Sequence, residues 1–212
     1  MTSTGVWLAA AALLAAAGAA GSGSAFAAAP ADTQQRDRPS VFAIGDSVML
    51  GAVGCMEARG WAVDALGNRQ VTAAEMQLRA AADLPAQVVV HAGTNGGADR
   101  GDLAAVMRTI GRGHDVVWLT IQLPDGTSRY TFEESTNEAI RALPDRFPNA
   151  YVADWNQASD EHPEWTGGDG IHLTVAGCRG YTRLIARTLR DAWETHHYVP
   201  MGRPLAVGNG AG

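Results

Sequence analysis

The chain has 212 residues, 46% of them hydrophobic, with two cysteines and a formal net charge of −6. That length suits one domain with a sizeable buried core. The negative balance argues against nucleic acid and anionic bilayers as partners, because both call for a broadly cationic surface.

Residues 1–27, MTSTGVWLAAAALLAAAGAAGSGSAFA, carry no ionisable side chain. An apolar core from Val6 to Ala20 precedes small residues, and Ala25-Phe26-Ala27 fits a signal-peptidase site. The core is short for a membrane span. The segment reads as a signal peptide, so a secreted or extracytoplasmic location is expected. The missing Lys or Arg ahead of the core leaves an uncleaved anchor or a displaced start codon as alternatives. No cysteine closes the segment, so a lipid anchor is not expected. Residues 28–39, AAPADTQQRDRP, read as a polar linker.

Short runs rich in Val, Ile and aromatics then alternate with longer amphipathic ones. Strands are predicted at 40–44, 61–65, 86–92, 115–121 and 150–155, and helices at 48–59, 72–83, 102–112, 132–147 and about 174–195. Regular β-α alternation implies a parallel sheet covered on both faces. Right-handed crossovers restrict this to a doubly wound, three-layer α/β/α sandwich with five strands. In the last helix Cys178, Tyr181, Ile185, Leu189 and Ala192 form one apolar stripe. Residues 198–212 are Gly/Pro-rich and aperiodic, and read as a disordered tail.

In such sheets ligands bind beyond the carboxyl ends of the strands. After the first strand comes Gly45-Asp46-Ser47. A serine there is either a nucleophile, which needs an adjacent base, or a helix cap. After the fifth, GGDGIHLT spaces Asp169 and His172 so that a carboxylate can hold one imidazole nitrogen and leave the other to take a proton. The plainer alternative is a turn Asp beside a surface His. After the third, HAGTNGG offers the Asn95 amide as an oxyanion donor or as a simple turn former. After the second, ALGNRQ places the Gly67 N–H where a second donor is needed. Four segments remote in sequence bring different parts of one acyl-transfer site to one sheet edge, so Ser47 is the expected nucleophile.

AIGDSVMLGA, GTNGG and DGIHLT resemble the sequence blocks of the SGNH (GDSL) hydrolase superfamily, over about Ser40 to Arg190. The resemblance implies a flavodoxin-like fold and cofactor-free, metal-free serine esterase or acyl-transfer chemistry, with the SGNH-type domain spanning 40–197. It makes Ser47 nucleophile, His172 base and Asp169 its orienter. The oxyanion hole would comprise the Ser47 and Gly67 N–H groups and the Asn95 amide, with Gly60 as an alternative to Gly67. GDSVMLGA, the stretch Val63–Gln70 and DGIHLT look most like the extracytoplasmic domains of cell-wall and polysaccharide O-acetyltransferases. That subgroup implies an O-acyl, chiefly O-acetyl, glycan ester as substrate and a membrane acyl-donor protein as a partner; separately, a monomer is expected. A lipase acting on fatty esters and a non-catalytic domain that keeps the fold are the other readings.

Within a flavodoxin-like topology the first and last helices share a face, so a Cys55–Cys178 disulfide is expected, with Gly51 and Gly54 allowing close approach. Trp155 and Trp165 flank the expected acid–base turn as core or sugar-stacking residues, and His91 reads as a core histidine. Asp46 is expected to brace the serine turn. His162 lies in an acidic stretch without metal-site spacing and reads as solvated loop.

Overall fold

The structure, a computed structural model, describes residues 40–124 and 129–197. The expected signal peptide, linker and C-terminal tail lie outside the described residues. Five parallel strands form one sheet in the order β2-β1-β3-β4-β5: β1 Val41–Gly45, β2 Ala62–Ala65, β3 Gln87–His91, β4 Asp115–Leu119 and β5 Ala150–Ala153. This is the expected doubly wound order, with the reversal between β1 and β3. Parallel pairing sets Ile44 beside Asp64 and Val90, and Gly45 beside Ala65 and His91, so the strands end together at one edge.

Helices cover both faces. On one lie α1 (Ser47–Leu50), α2 (Val53–Glu57), α6 (Trp155–Glu161) and α7 (Val175–His197); on the other lie α3 (Val71–Ala80), α4 (Arg100–Ile110) and α5 (Glu133–Arg141). Strand residues alternate between two cores: Ala43, Val89, Val117 and Leu119 face α7, and Ile44, Val88, Val90 and Trp118 face α4. Burial on both sides explains why these strands read as continuous apolar runs. Tyr181, Ile185 and Leu189 anchor α7, each buried side chain contributing about 1.5–3 kcal/mol. No helix among the described residues is long and apolar enough to cross a membrane.

Several boundaries differ from the sequence expectation. The helix predicted at 48–59 is two short helices, because the chain turns at Gly51-Ala52 and Ala52 N–H donates to Met49 O. The helix predicted at 132–147 stops at Arg141, and α6 was not anticipated. Its seven residues are too few to show a clear helical period, and the Asp154 side chain caps it by accepting from Gln157 N–H.

Cys55 and Cys178 form a disulfide with a Cα–Cα distance of 6.1 Å, joining α2 to α7. Neither glycine expected to allow close approach of α2 and α7 lies between them: a Cβ at Gly51 would meet Leu173, which precedes α7, at 3.5 Å. Gly54 faces open space, whereas a Cβ at Gly177 or Gly180 would lie 1.9 Å from the Trp165 carbonyl oxygen or 2.6 Å from its ring. Trp165 is seated directly on α7.

Candidate active site

β1 ends at Gly45, where a Cβ would fall 2.6 Å from that of Met49, so α1 packs directly over the strand end. Asp46 is fully buried. Its Oδ1 accepts the Val48 N–H at 3.0 Å, and its own N–H donates to the His91 carbonyl at 3.1 Å. The side chain that caps α1 is therefore Asp46, which frees the Ser47 hydroxyl for other work.

The acid–base turn is a small hairpin. Thr166 bridges Leu173 antiparallel, Gly167 N–H donates to His172 O at 2.7 Å, and Gly170 takes φ +68° at the tip. Thr174 N–H donates to Trp165 O at 2.9 Å, and the Thr174 hydroxyl oxygen accepts the Gly177 N–H at the start of α7. Trp165, held on Gly177 and Gly180, thereby fixes the hairpin to the helix. Trp155 stacks beneath Trp165, with centroids 5.8 Å apart, and is fully buried; His162 is an exposed loop residue, as expected, whose ring stacks on Trp165 at 4.0 Å.

Within the hairpin, Asp169 Oδ1 accepts the Ile171 and His172 N–H groups, both at 3.0 Å. Its Oδ2 lies 2.6 Å from His172 Nδ1. The opposite ring nitrogen, Nε2, lies 3.0 Å from Ser47 Oγ, a residue 125 positions away. The His172 bond, with the two backbone donors, lowers the Asp169 pKa to about 2 against desolvation, so Asp169 is ionised. A carboxylate only accepts, so Nδ1 carries the proton and Nε2 is free to accept from the serine hydroxyl. The structure thus brings Ser47, His172 and Asp169 into one hydrogen-bonded line. The Asp169 and His172 side chains are half exposed, so the line opens to solvent.

Gly67 lies in the turn after β2, on the same sheet edge as Ser47. Gly60 precedes β2 and therefore sits at the amino edge, a full strand length away. The Gly67 turn is held by Arg69, which sequence reading did not single out. Arg69 is 6% exposed and donates to Gly45 O at 3.2 Å, Asp64 O at 2.5 Å and Asp64 Oδ1 at 2.7 Å. Its neighbour Asn68 takes φ 59°, the left-handed conformation that Asn tolerates. Asn95 donates one amide hydrogen to the Arg69 carbonyl at 3.4 Å, which leaves the second hydrogen to donate elsewhere. The only advance signal for Arg69 was a cation in a turn of otherwise neutral residues.

Beneath the serine turn, His91 is fully buried and its Nδ1 lies 2.7 Å from the Tyr181 hydroxyl. Desolvation lowers the His91 pKa, outweighing the nearby Asp46 charge, so the ring stays neutral. Cavities of about 410, 150 and 450 Å³ run along α3, α4 and α5; Ser47, Asp169 and His172 line none of them.

No protein-family model matches the chain. It is 32% identical over 165 residues to O-acetyltransferase OatA of Staphylococcus aureus, an alignment covering 75% of this chain and 26% of that protein. It is 25% identical over 167 residues to YrhL of Bacillus subtilis, covering 76% and 25%. The chain thus spans about a quarter of the length of these curated relatives. The structure superposes on the C-terminal catalytic domain of Streptococcus pneumoniae peptidoglycan O-acetyltransferase A, in a complex described as a methylsulfonyl adduct. The TM-score is 0.68 at 27% identity, covering 73% of this chain and 94% of that one.

Proposed function

The chain is homologous to peptidoglycan O-acetyltransferases of the SGNH (GDSL) type, and from that premise we propose that it is an exported serine esterase or O-acyltransferase acting on O-acetyl esters of cell-envelope glycans. The observation that carries this reading is the line from Asp169 through His172 to Ser47, at 2.6 and 3.0 Å.

His172 Nε2 takes the Ser47 proton as Oγ bonds to the ester carbonyl carbon. The carbonyl π pair moves onto oxygen, where the Ser47 and Gly67 N–H groups and the Asn95 amide receive it. Each such donor is worth roughly 3–4 kcal/mol of barrier in enzymes where it has been removed. The tetrahedral carbon expels the alkoxide, which takes the proton from His172 and leaves an acetyl-serine. Water, or a sugar hydroxyl for transfer, attacks that ester, again deprotonated by His172, and Ser47 is restored. Asp169 stays ionised throughout and steadies the imidazolium.

Export rests on residues 1–27, and a membrane donor of acetyl groups on the kinship with the acetyltransferases. The open, half-exposed site supports a short acyl group on a bulky alcohol. A second reading, hydrolysis of longer fatty esters, is favoured by Leu50, Leu66 and Val175, large aliphatic side chains left exposed in the segments that carry the site.

Turnover of p-nitrophenyl acetate against longer-chain p-nitrophenyl esters, with and without chito-oligosaccharides, separates these readings. The acetyl ester is expected to be the best substrate and to yield O-acetylated oligosaccharide. Ser47→Ala is expected to abolish both products, and activity surviving in that variant overturns the proposal.

A further inference from the structure

The outer face of α7 carries Arg179, Arg183, Arg187 and Arg190, all exposed, while Tyr181, Ile185 and Leu189 lie buried between them in sequence. Their spacing of four, four and three residues sets the guanidiniums in one row. At the helical rise the row is about 16 Å long. From Val175 to Arg190 the helix holds no Asp or Glu, in a chain with 22 acidic residues. Arg190 lies 4.0 Å from Asp191; among the described residues no carboxylate pairs with Arg179, Arg183 or Arg187. Like charges at these spacings weaken a helix, and cations near its N-terminal half oppose its dipole. The arginines Arg108, Arg112 and Arg146, on the other side of the sheet, differ in this respect. They surround the C-terminal end of α4, where positive charge is locally favourable.

The row begins beside the acid–base hairpin. Arg183 lies 6.0 Å from the centre of the Trp165 ring, and the Trp165 carbonyl accepts the Thr174 N–H two residues past His172. We infer that α7 is a docking track for an anionic glycan strand bearing carboxylates along its length, from which one residue reaches Ser47. The glycan identity rests on the glycan-ester reading above. Charge complementarity supplies the rest: arginine forks match carboxylates, and the exposed His162 ring is stacked on the Trp165 that Arg183 approaches. A bilayer is a poor occupant, since the apolar side of α7 is spent on the core and none is left to insert. A long polyphosphate would reach beyond the row onto the rest of the chain, which without these four arginines is more negative than the whole chain's −6.

The full chain carrying Ser47→Ala is titrated with polygalacturonate, neutral dextran, polyphosphate and phosphatidylglycerol vesicles. Polygalacturonate is expected to bind in a salt-sensitive manner and dextran not to bind. Adding Arg179→Gln with Arg187→Gln is expected to weaken that binding about tenfold, whereas the charge-matched pair Arg108→Gln with Arg112→Gln leaves it intact. Circular dichroism confirms that both double variants are folded. Equal loss in the two double variants overturns the track, as does binding to dextran, or binding to polyphosphate or vesicles without polygalacturonate. Binding is read without turnover, so an inactive parent enzyme sinks only the esterase reading, and intact hydrolysis without polymer binding sinks only the track.

Discussion

The Arg69 guanidinium donates to the Gly45 carbonyl at 3.2 Å, two residues before Ser47, while the Arg69 carbonyl accepts from Asn95 at 3.4 Å. One buried residue thus links the ends of β1 and β2 to the amide after β3. Arg69→Met is expected to lower kcat about tenfold to a hundredfold with little change in KM, because the donors around the oxyanion lose their alignment. Urea unfolding should register a loss of about 1–3 kcal/mol from the unpaired acceptors. Arg69→Lys restores only part of either, since an ammonium cannot reproduce the fork. An unchanged kcat in Arg69→Met would remove Arg69 from the site.

Asp169→Asn keeps the size of the side chain but removes the charge that holds Nδ1–H. The expected result is a kcat on p-nitrophenyl acetate about 10²–10⁴-fold lower, the upper figure being that of a serine protease with a buried aspartate. The half-exposed Asp169 should fall short of it. Steady-state kinetics checks the value.

The His172 bond lowers the Asp169 pKa from 3.8 to about 2. Because the folded value is the lower one, its contribution to stability is complete above 3.8 and is lost as pH falls through about 2. Solvent exposure keeps that contribution small. A ¹³C titration of the Asp169 carboxyl should find the depressed midpoint in the parent and a return toward the ordinary range in His172→Ala. No movement between the two would show that His172 is not the cause.

Gly177→Ala should be severe. Its Cβ would meet the Trp165 carbonyl oxygen at 1.9 Å, so the helix or the acid–base hairpin must shift. Thermal melts should show a loss of about 1–3 kcal/mol or more, with kcat falling alongside. Gly54→Ala, facing open space in α2, is the contrast: no loss, and a gain of up to about 1 kcal/mol.

The disulfide Cys55–Cys178 joins positions 123 residues apart. In the chain-entropy picture, Cys55→Ser with Cys178→Ser should cost about 4–5 kcal/mol in urea unfolding. A loss below about 1 kcal/mol would mean that the open chain retains much of the same order.

Much of the fold was legible because burial on both faces writes each strand as a continuous apolar run between polar turns. All five strands lie within one or two residues of expectation. The misses are short or locally ambiguous. The break at Gly51-Ala52 leaves no sharp mark on an apolar stretch, and α6 covers too few residues for periodicity to declare itself.

The sequence by itself determined the β-α order, and with it the edge of the sheet where Ser47, Asn95, Asp169 and His172 would gather. Ser47 and Asn95 sit in the turns that follow β1 and β3, and strand ends in a parallel sheet share an edge, whereas the hairpin with Asp169 and His172 returns to that edge only after α6. Only the tertiary structure set Gly67 on the Ser47 edge and Gly60 on the opposite one, revealed Arg69 as the clamp, and showed Trp165 seated on Gly177 and Gly180. Those features are contacts between segments far apart in the chain. A periodic pattern tells which side of an element is buried, but the partner it is buried against is set by how the elements pack in three dimensions.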